Sequence, residues 1–226
     1  MLKAVILDFD GVIADSETLH LRCFNEVLAG FGVEIATEDY YKDYLGLTDV
    51  DVFRLVVDKG LLRLTARQIE NLAGQKNQIF KKLAETEAGI IPGVPIFLQM
   101  LRQNNIPIAI CSGALLAEIE LILEAAQLRS FFEVTVSAEQ VKRGKPQPDG
   151  PLLTLQKLNE KGQNPITTGE CIMVEDSYWG LEAAKAAGMH TIAVTSSYGP
   201  DQLTMAEKIV TQLDELNMDD LQKLCG

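Results

Sequence analysis

Asp8 and Asp10 close a short apolar run, Ala4-Val5-Ile6-Leu7, and Gly11 follows at once. Two carboxylates two residues apart at the end of a buried strand are costly unless a cation binds between them. The glycine lets the chain turn sharply and bring backbone N–H groups close to an anion. The pair suits a hard metal ion and a phosphoryl group, with one carboxylate free to attack. An Asp-Gly step is also a common Asx turn, so the weight falls on what other segments bring.

Three further segments carry polar groups. Ser112-Gly113 follows the apolar run ending at Cys111, and Glu175-Asp176-Ser177 follows the run ending at Val174. Between them lies Lys142-Arg143-Gly144-Lys145-Pro146-Gln147-Pro148-Asp149, where proline fixes the loop and opens a helix. In an open parallel sheet, ligands bind beyond the carboxyl ends of the strands. Carboxylate, hydroxyl, ammonium and a carboxylate pair are therefore expected at one rim. Carboxylates from two strands, Asp8 and Asp10 with Glu175 and Asp176, can hold Mg²⁺, which prefers oxygen ligands. Asp8 is then a nucleophile for phosphorus, and Asp10 protonates the leaving oxygen and later deprotonates water. Lys145 and Mg²⁺ neutralise the phosphoryl oxygens, while Ser112 and the backbone N–H groups after Asp8 hydrogen-bond them. Taken singly, each piece has a plainer reading: a turn, a solvated lysine, a helix cap.

The elements that must position these residues fall into two kinds. A strand is expected over residues 3–8, and from Ser16 to Glu87 no strand pattern occurs. Phe24, Val27, Leu28 and Phe31 recur at helical spacing, with Asp15 or Ser16 placed to cap and Gly30 and Gly32 to terminate. Residues 37–44, 49–60 and 65–86 continue as helical segments. After Pro92-Gly93 strands alternate with helices: Ile106–Cys111 then 115–126, Glu133–Ser137 then a helix from Pro148, Cys171–Val174 then 178–187, and finally Thr191–Val194. Alternation of this kind implies parallel strands joined by helical crossovers. The expected organisation is an α/β core over 1–15 and 88–226, with a helical domain inserted at 16–87.

Composition narrows the partners. A formal net charge of −12 argues against nucleic acid or anionic lipid but permits a small anion at a locally cationic site. Apolar stretches are strand-sized, short of the ~20 residues that cross a bilayer. The amino terminus offers too little for a secretory signal, so a cytoplasmic, soluble protein is expected, as a monomer or weak homodimer. Cys23, Cys111, Cys171 and Cys225 are scattered without CxxC spacing and read as free thiols.

Together these motifs resemble the haloacid dehalogenase superfamily of phosphotransferases. The likeness rests on Asp8-Phe9-Asp10-Gly11-Val12, Ser112-Gly113, Lys145-Pro146-Gln147-Pro148-Asp149, and Val174-Glu175-Asp176-Ser177 with Gly180 and the Ala-rich helix to Gly188. The resemblance implies a three-layer Rossmann-like sandwich, Mg²⁺ as cofactor and an aspartyl-phosphate intermediate. The inserted helices resemble the small α-helical cap of the subgroup containing beta-phosphoglucomutase and many sugar-phosphate phosphatases. Such a cap opens to admit substrate and closes to exclude water. By the same likeness Phe9, Gly11 and Gly113 beside the motifs, and His20, Gly46 and Lys76 in the cap, are candidate substrate-binding positions. His20 equally suits the edge of an apolar stripe, and Lys76 a solvated helix surface.

Asp10 excludes the carbon–halogen branch, because a halide leaves without a proton. Asp49 stands where the mutase pattern places an arginine for a second phosphate, and Ala114-Leu115-Leu116 offers no polar side chain there. The reading is therefore net hydrolysis of a small phosphate monoester, a phosphorylated metabolite such as a sugar phosphate. A beta-phosphoglucomutase-type transferase is the alternative, and a non-catalytic protein on the same fold the more distant one.

Overall fold

A computed structural model describes residues 1–226 other than Gly46, Ala88 and Gln163, with the backbone alone for Glu85, Thr86 and Glu87. The chain divides into two compact units, Met1–Asp15 with Gly89–Gly226, and Ser16–Ala88. The first unit holds the strands β1 (Ala4–Leu7), β2 (Ala14–Asp15), β3 (Gly89–Ile90), β4 (Ile108–Cys111), β5 (Val134–Val136), β6 (Cys171–Glu175), β7 (His190–Val194) and β8 (Lys208–Val210). Six of them form one parallel sheet in the order β5-β4-β1-β6-β7-β8. β2 and β3 make a separate antiparallel pair, Asp15 opposite Gly89 and Ala14 opposite Ile90.

The central strands are apolar on both faces, and burial explains why. Ala4, Ile6, Ala109, Cys111, Val134, Cys171 and Met173 share one cluster with Leu155, Leu158, Ala184 and Ala187. Val5, Leu7, Ile110, Ile172 and Val174, of the opposite parity, are just as completely buried. With a side-chain period of two, both faces of β1 and β6 are covered, as a parallel sheet demands.

Helices of the second unit are α1 (Glu17–Ala29), α2 (Thr37–Asp39) continued by a wider π-type turn over Tyr40–Tyr44, α3 (Asp49–Asp58) and α4 (Ala66–Glu87). Those of the first are α5 (Val94–Gln103), α6 (Leu116–Ala125), α7 (Asp149–Lys161), α8 (Tyr178–Ala186) and α9 (Met218–Leu224). The helical unit has its own core, with Phe24, Val27 and Leu28 of α1 against Val52, Phe53 and Val56 of α3 and Ile69, Leu72 and Ala73 of α4. No described helix is long and apolar enough to cross a membrane. All four cysteines are free.

Two sequence expectations need correction, and two elements carry no readable signal. Phe31 lies beyond α1 and is exposed, because the helix stops at Gly30 and Phe31 falls into the turn with Gly32. The strand β8 and the helix α9 went unread; β8 is three residues long and only its last is buried, too short for a period to register. Lys76 is not a solvated helix lysine, for it has no exposed surface at all.

Candidate active site

Asp8 stands one residue beyond β1, its N–H donating to the Val174 carbonyl at 2.9 Å. That bond ties the end of β1 to the end of β6, where Glu175 and Asp176 emerge. β1 and β6 are neighbours in the sheet, with Leu7 opposite Val174. The carboxylates of Asp8, Glu175 and Asp176 consequently have ligand atoms that all lie within 4.8 Å of one another, and all three residues are buried.

Lys145 supplies the positive charge. Its Nζ lies 2.8 Å from Asp8 Oδ1 and 2.5 Å from Glu175 Oε1. The loop that delivers it is strapped by Arg143, which donates from Nη2 and Nε to the two oxygens of Asp149 at 2.7 and 3.1 Å. The Lys145–Pro146 peptide is cis, and Asp149 then opens α7. Asp149, quoted above only as part of a motif, thus acts as the strap.

Two glycines make room for the carboxylates. A Cβ on Gly180 would overlap the Glu175 carboxylate, and one on Gly11 would overlap that of Asp176. Gly11 also has φ +74°, a conformation that favours glycine. Ser177 serves twice: its hydroxyl donates to Glu175 Oε2 at 3.1 Å and accepts from the Gly180 N–H at 3.2 Å, capping α8. Asp176 Oδ2 accepts from the Ser197 hydroxyl. Sequence reasoning missed Ser197, although it follows β7 at the same carboxyl-end rim that pointed to the others.

Electrostatics record the crowding. Burial, and then the Asp8 charge, push the Asp176 carboxyl up to about 7, against the pull of Ser197 and Lys145; Asp10 adds to the push. Burial and Asp8 raise Glu175 as well, to about 8. Burial works against the Lys145 ammonium, yet Asp8 and Glu175 outweigh it and hold its pKa above the ordinary lysine range.

Three carboxylates around one lysine leave negative charge unmatched. Asp8 Oδ1 and Glu175 Oε1 lie within ion-pair range of Lys145 but off the direction a hydrogen bond needs. Two oxygens on a Mg²⁺ at 2.0–2.1 Å stand about 3–4 Å apart, so the cluster fits a hard divalent cation after small side-chain movements. All-oxygen donors suit Mg²⁺ rather than a thiolate-seeking metal.

The other predicted residues are placed as follows. Asp10 interacts with Asp176 electrostatically but does not belong to the three-carboxylate cluster. Ser112 is buried, and its Oγ accepts from the Ala114 N–H at 3.0 Å while its N–H donates to the Val136 carbonyl at 2.9 Å. Phe9 puts its ring in the core. The Gly11 N–H donates to the Ala14 carbonyl at 2.9 Å. Gly113 follows Ser112 with open space where a Cβ would stand. Gly46 lies outside the described residues.

His20 and Lys76 meet inside the helical unit. Lys76 Nζ lies 2.7 Å from Asp49 Oδ1 and 2.5 Å from His20 Nδ1. The same ammonium sits 4.9 Å from the ring centroids of Phe24 and Phe80, and His20 stacks on Phe80 at 4.2 Å. An ammonium only donates, so Nδ1 is the acceptor and the ring carries its proton on Nε2. Burial, with Lys76 beside it, lowers the His20 pKa well below the usual value.

A sequence model described as haloacid dehalogenase-like hydrolase matches residues 5–194. Hexitol phosphatase B of Escherichia coli strain K12 is 30% identical over 228 residues, covering 97% of this chain and 96% of its own. A probable pseudouridine-5'-phosphatase of Saccharomyces cerevisiae is 29% identical over 230 residues, covering 99% and 94%. Among solved structures, CbbY from Rhodobacter sphaeroides in complex with phosphate superposes with a TM-score of 0.83 at 25% identity, over 98% of this chain and 100% of that one. With its sheet order, its strand-end carboxylates and this near end-to-end similarity, the chain belongs to the haloacid dehalogenase-like hydrolase family.

Proposed function

We propose that this protein is a Mg²⁺-dependent phosphatase that hydrolyses a small phosphate monoester, a sugar phosphate, in two steps through Asp8. The observation that carries the reading is the buried Asp8, Glu175 and Asp176 cluster at the carboxyl ends of β1 and β6, with Lys145 paired to two of its members. Asp8 attacks phosphorus and the ester oxygen departs with a proton from Asp10, leaving an aspartyl phosphate. Water then attacks that phosphorus, gives its proton to Asp10, and phosphate leaves Asp8. Lys145 orients the Asp8 carboxylate before attack and neutralises phosphoryl oxygens during it. Ser112 offers its hydroxyl hydrogen to the same oxygens. Glu175 and Ser177 hold Lys145 and the start of α8, and Ser197 orients Asp176. Asp8 and Asp176, with Glu175 beside them and Asp10 completing the set expected from sequence, would hold Mg²⁺, which would supply charge withdrawal from the phosphoryl group.

Hydrolysis is favoured over transfer within a sugar by the state of the helical unit. Lys76, the cation buried there, is matched by Asp49, which leaves its charge spoken for rather than available to a second phosphate. Relatives named as phosphatases support the same reading. The helical unit is assigned the part of a cap that helps select the alcohol portion, through residues 45–51, with Lys76, His20 and Asp49 bracing it from within.

The test is phosphate release from a panel of phosphorylated metabolites by the parent and by Asp8→Asn, with and without Mg²⁺. The variant is expected to keep its circular dichroism spectrum and lose turnover by at least about 10³-fold. Release at the parent rate would overturn the assignment. Conversion of beta-glucose 1-phosphate to glucose 6-phosphate, given a trace of the bisphosphate, would favour the mutase instead.

A further inference from the structure

Beside the carboxylate cluster stands a run of three aromatic rings that the proposed chemistry leaves unused. Tyr178 and Trp179 open α8 immediately after Ser177, and Tyr198 follows Ser197, the residue whose hydroxyl holds Asp176. Tyr178 lies against Trp179 with centroids 4.2 Å apart and the rings tilted by 37°, and meets Tyr198 edge-on at 5.4 Å. Tyr198 in turn packs against the buried Leu181, Ala193 and Leu203. The rings are thus anchored from below, and the outermost is the most open: Trp179 is 47% exposed.

Chain geometry keeps this row near the reaction centre. Tyr178 is two residues from Asp176 and Tyr198 one from Ser197, so their Cα atoms lie within about 4–8 Å of the residues they follow. Trp179 is three residues from Asp176, so its Cα lies within about 11 Å of that residue, a span that a pentose and its phosphate can bridge. An indole backed by a phenol presents a flat, rigid, apolar face at low entropic cost. Such a face rewards a planar ring, because any heteroaromatic base has a π-face to offer. A second phosphate is the wrong occupant, since the rim already carries three carboxylates and the chain a net charge of −12.

We infer that Trp179, backed by Tyr178 and Tyr198, forms a stacking subsite for a planar heteroaromatic ring carried by the phosphorylated sugar, making nucleoside monophosphate-like esters the preferred substrate class. The inference rests on the phosphatase reading for its catalytic consequence, but the binding it describes can be measured apart from turnover.

Trp179 is the only tryptophan in the chain, so indole fluorescence reports on this one ring. Asp8→Asn protein in Mg²⁺ buffer is titrated with uridine 5'-monophosphate and, separately, with ribose 5-phosphate. Saturable quenching by the first with little change from the second is expected. In the otherwise unaltered chain, Trp179→Ala is expected to lower the ratio of kcat/KM for the uridine ester to that for ribose 5-phosphate by about 5- to 150-fold, the fold-change of one stacked base. Trp179→Phe should recover most of that ratio. An equal fall for both esters would mark Trp179 as a merely structural residue and overturn the inference, as would an unchanged ratio. If the parent hydrolyses neither ester, the phosphatase reading is what suffers, and the fluorescence titration alone decides: selective quenching upholds the subsite, and its absence removes it.

Discussion

Gly180 and Gly11 show how little freedom the carboxylate cluster has. Each leaves room that a methyl group would take from Glu175 or Asp176. Gly180→Ala must displace a fully buried carboxylate that also holds Lys145 and Ser177. Overpacking of this kind typically costs about 1–3 kcal/mol, and here it also disorganises the ammonium beside Asp8. Thermal denaturation should therefore show a lowered Tm, and phosphate release should fall by at least about tenfold. Arg143→Ala is the milder contrast. It removes an exposed strap, so Tm should move little while kcat falls through a loosened Lys145. That Asp8, Glu175, Asp176 and Lys145 meet was legible in the sequence because each sits just past a strand or in one rim loop, and a parallel sheet gathers such positions at one edge. Ser197 and the Arg143–Asp149 strap were not, since their partners are fixed by the folded backbone rather than by spacing.

At the scale of elements, the helical unit is organised around a charge. Lys76 of α4 is enclosed by α1 and α3, with Asp49 as its carboxylate, His20 as a second acceptor and two phenylalanine rings over it. Removing one partner of a buried pair leaves the other uncompensated. Lys76→Met is expected to destabilise this unit by about 1–3 kcal/mol, below the roughly 3–5 kcal/mol of a fully buried pair because Asp49 keeps some contact with water. Pairing it with Asp49→Leu should restore part of the loss, and a double-mutant cycle by urea unfolding measures the coupling. The His20 ring offers an independent readout: its ¹⁵N shifts should show the Nε2–H tautomer without titration near the usual histidine pKa, and in Lys76→Met its pKa should rise yet stay below the usual value, because burial, the larger cause, remains. The helical segments themselves were legible from periodicity. The burial of Lys76 was not, because its partner lies 27 residues away and a lysine in a polar stretch carries no mark of enclosure.

For the whole molecule, the raised carboxyls make stability depend on pH and on cation together. Asp176 and Glu175 hold their protons more tightly folded than unfolded, with values of about 7 and 8. Their contribution to stability is complete below the ordinary carboxylate range and is lost as pH rises through those values. The metal-free protein should therefore have a lower Tm at about pH 8 than at about pH 5.5, all else held fixed. Mg²⁺ must displace those protons to bind, so the Tm rise it produces should be larger at the higher pH. A cation-independent Tm at both values would contradict the proposed metal site. The sheet unit tolerates this local cost because β1 and β6, which present the carboxylates, are its most completely covered strands.

The small ribbon of β2 and β3 has a consequence for how such a chain can be remodelled. Asp15 and Gly89 are bonded neighbours, so the seventy-odd residues between them leave and re-enter at a single doorway. An Asn-Gly hairpin turn could bridge that doorway without altering the register of any sheet strand. Foreign inserts of other sizes could be spliced there too, which makes the catalytic rim a chassis on which selectivity is exchanged wholesale rather than residue by residue.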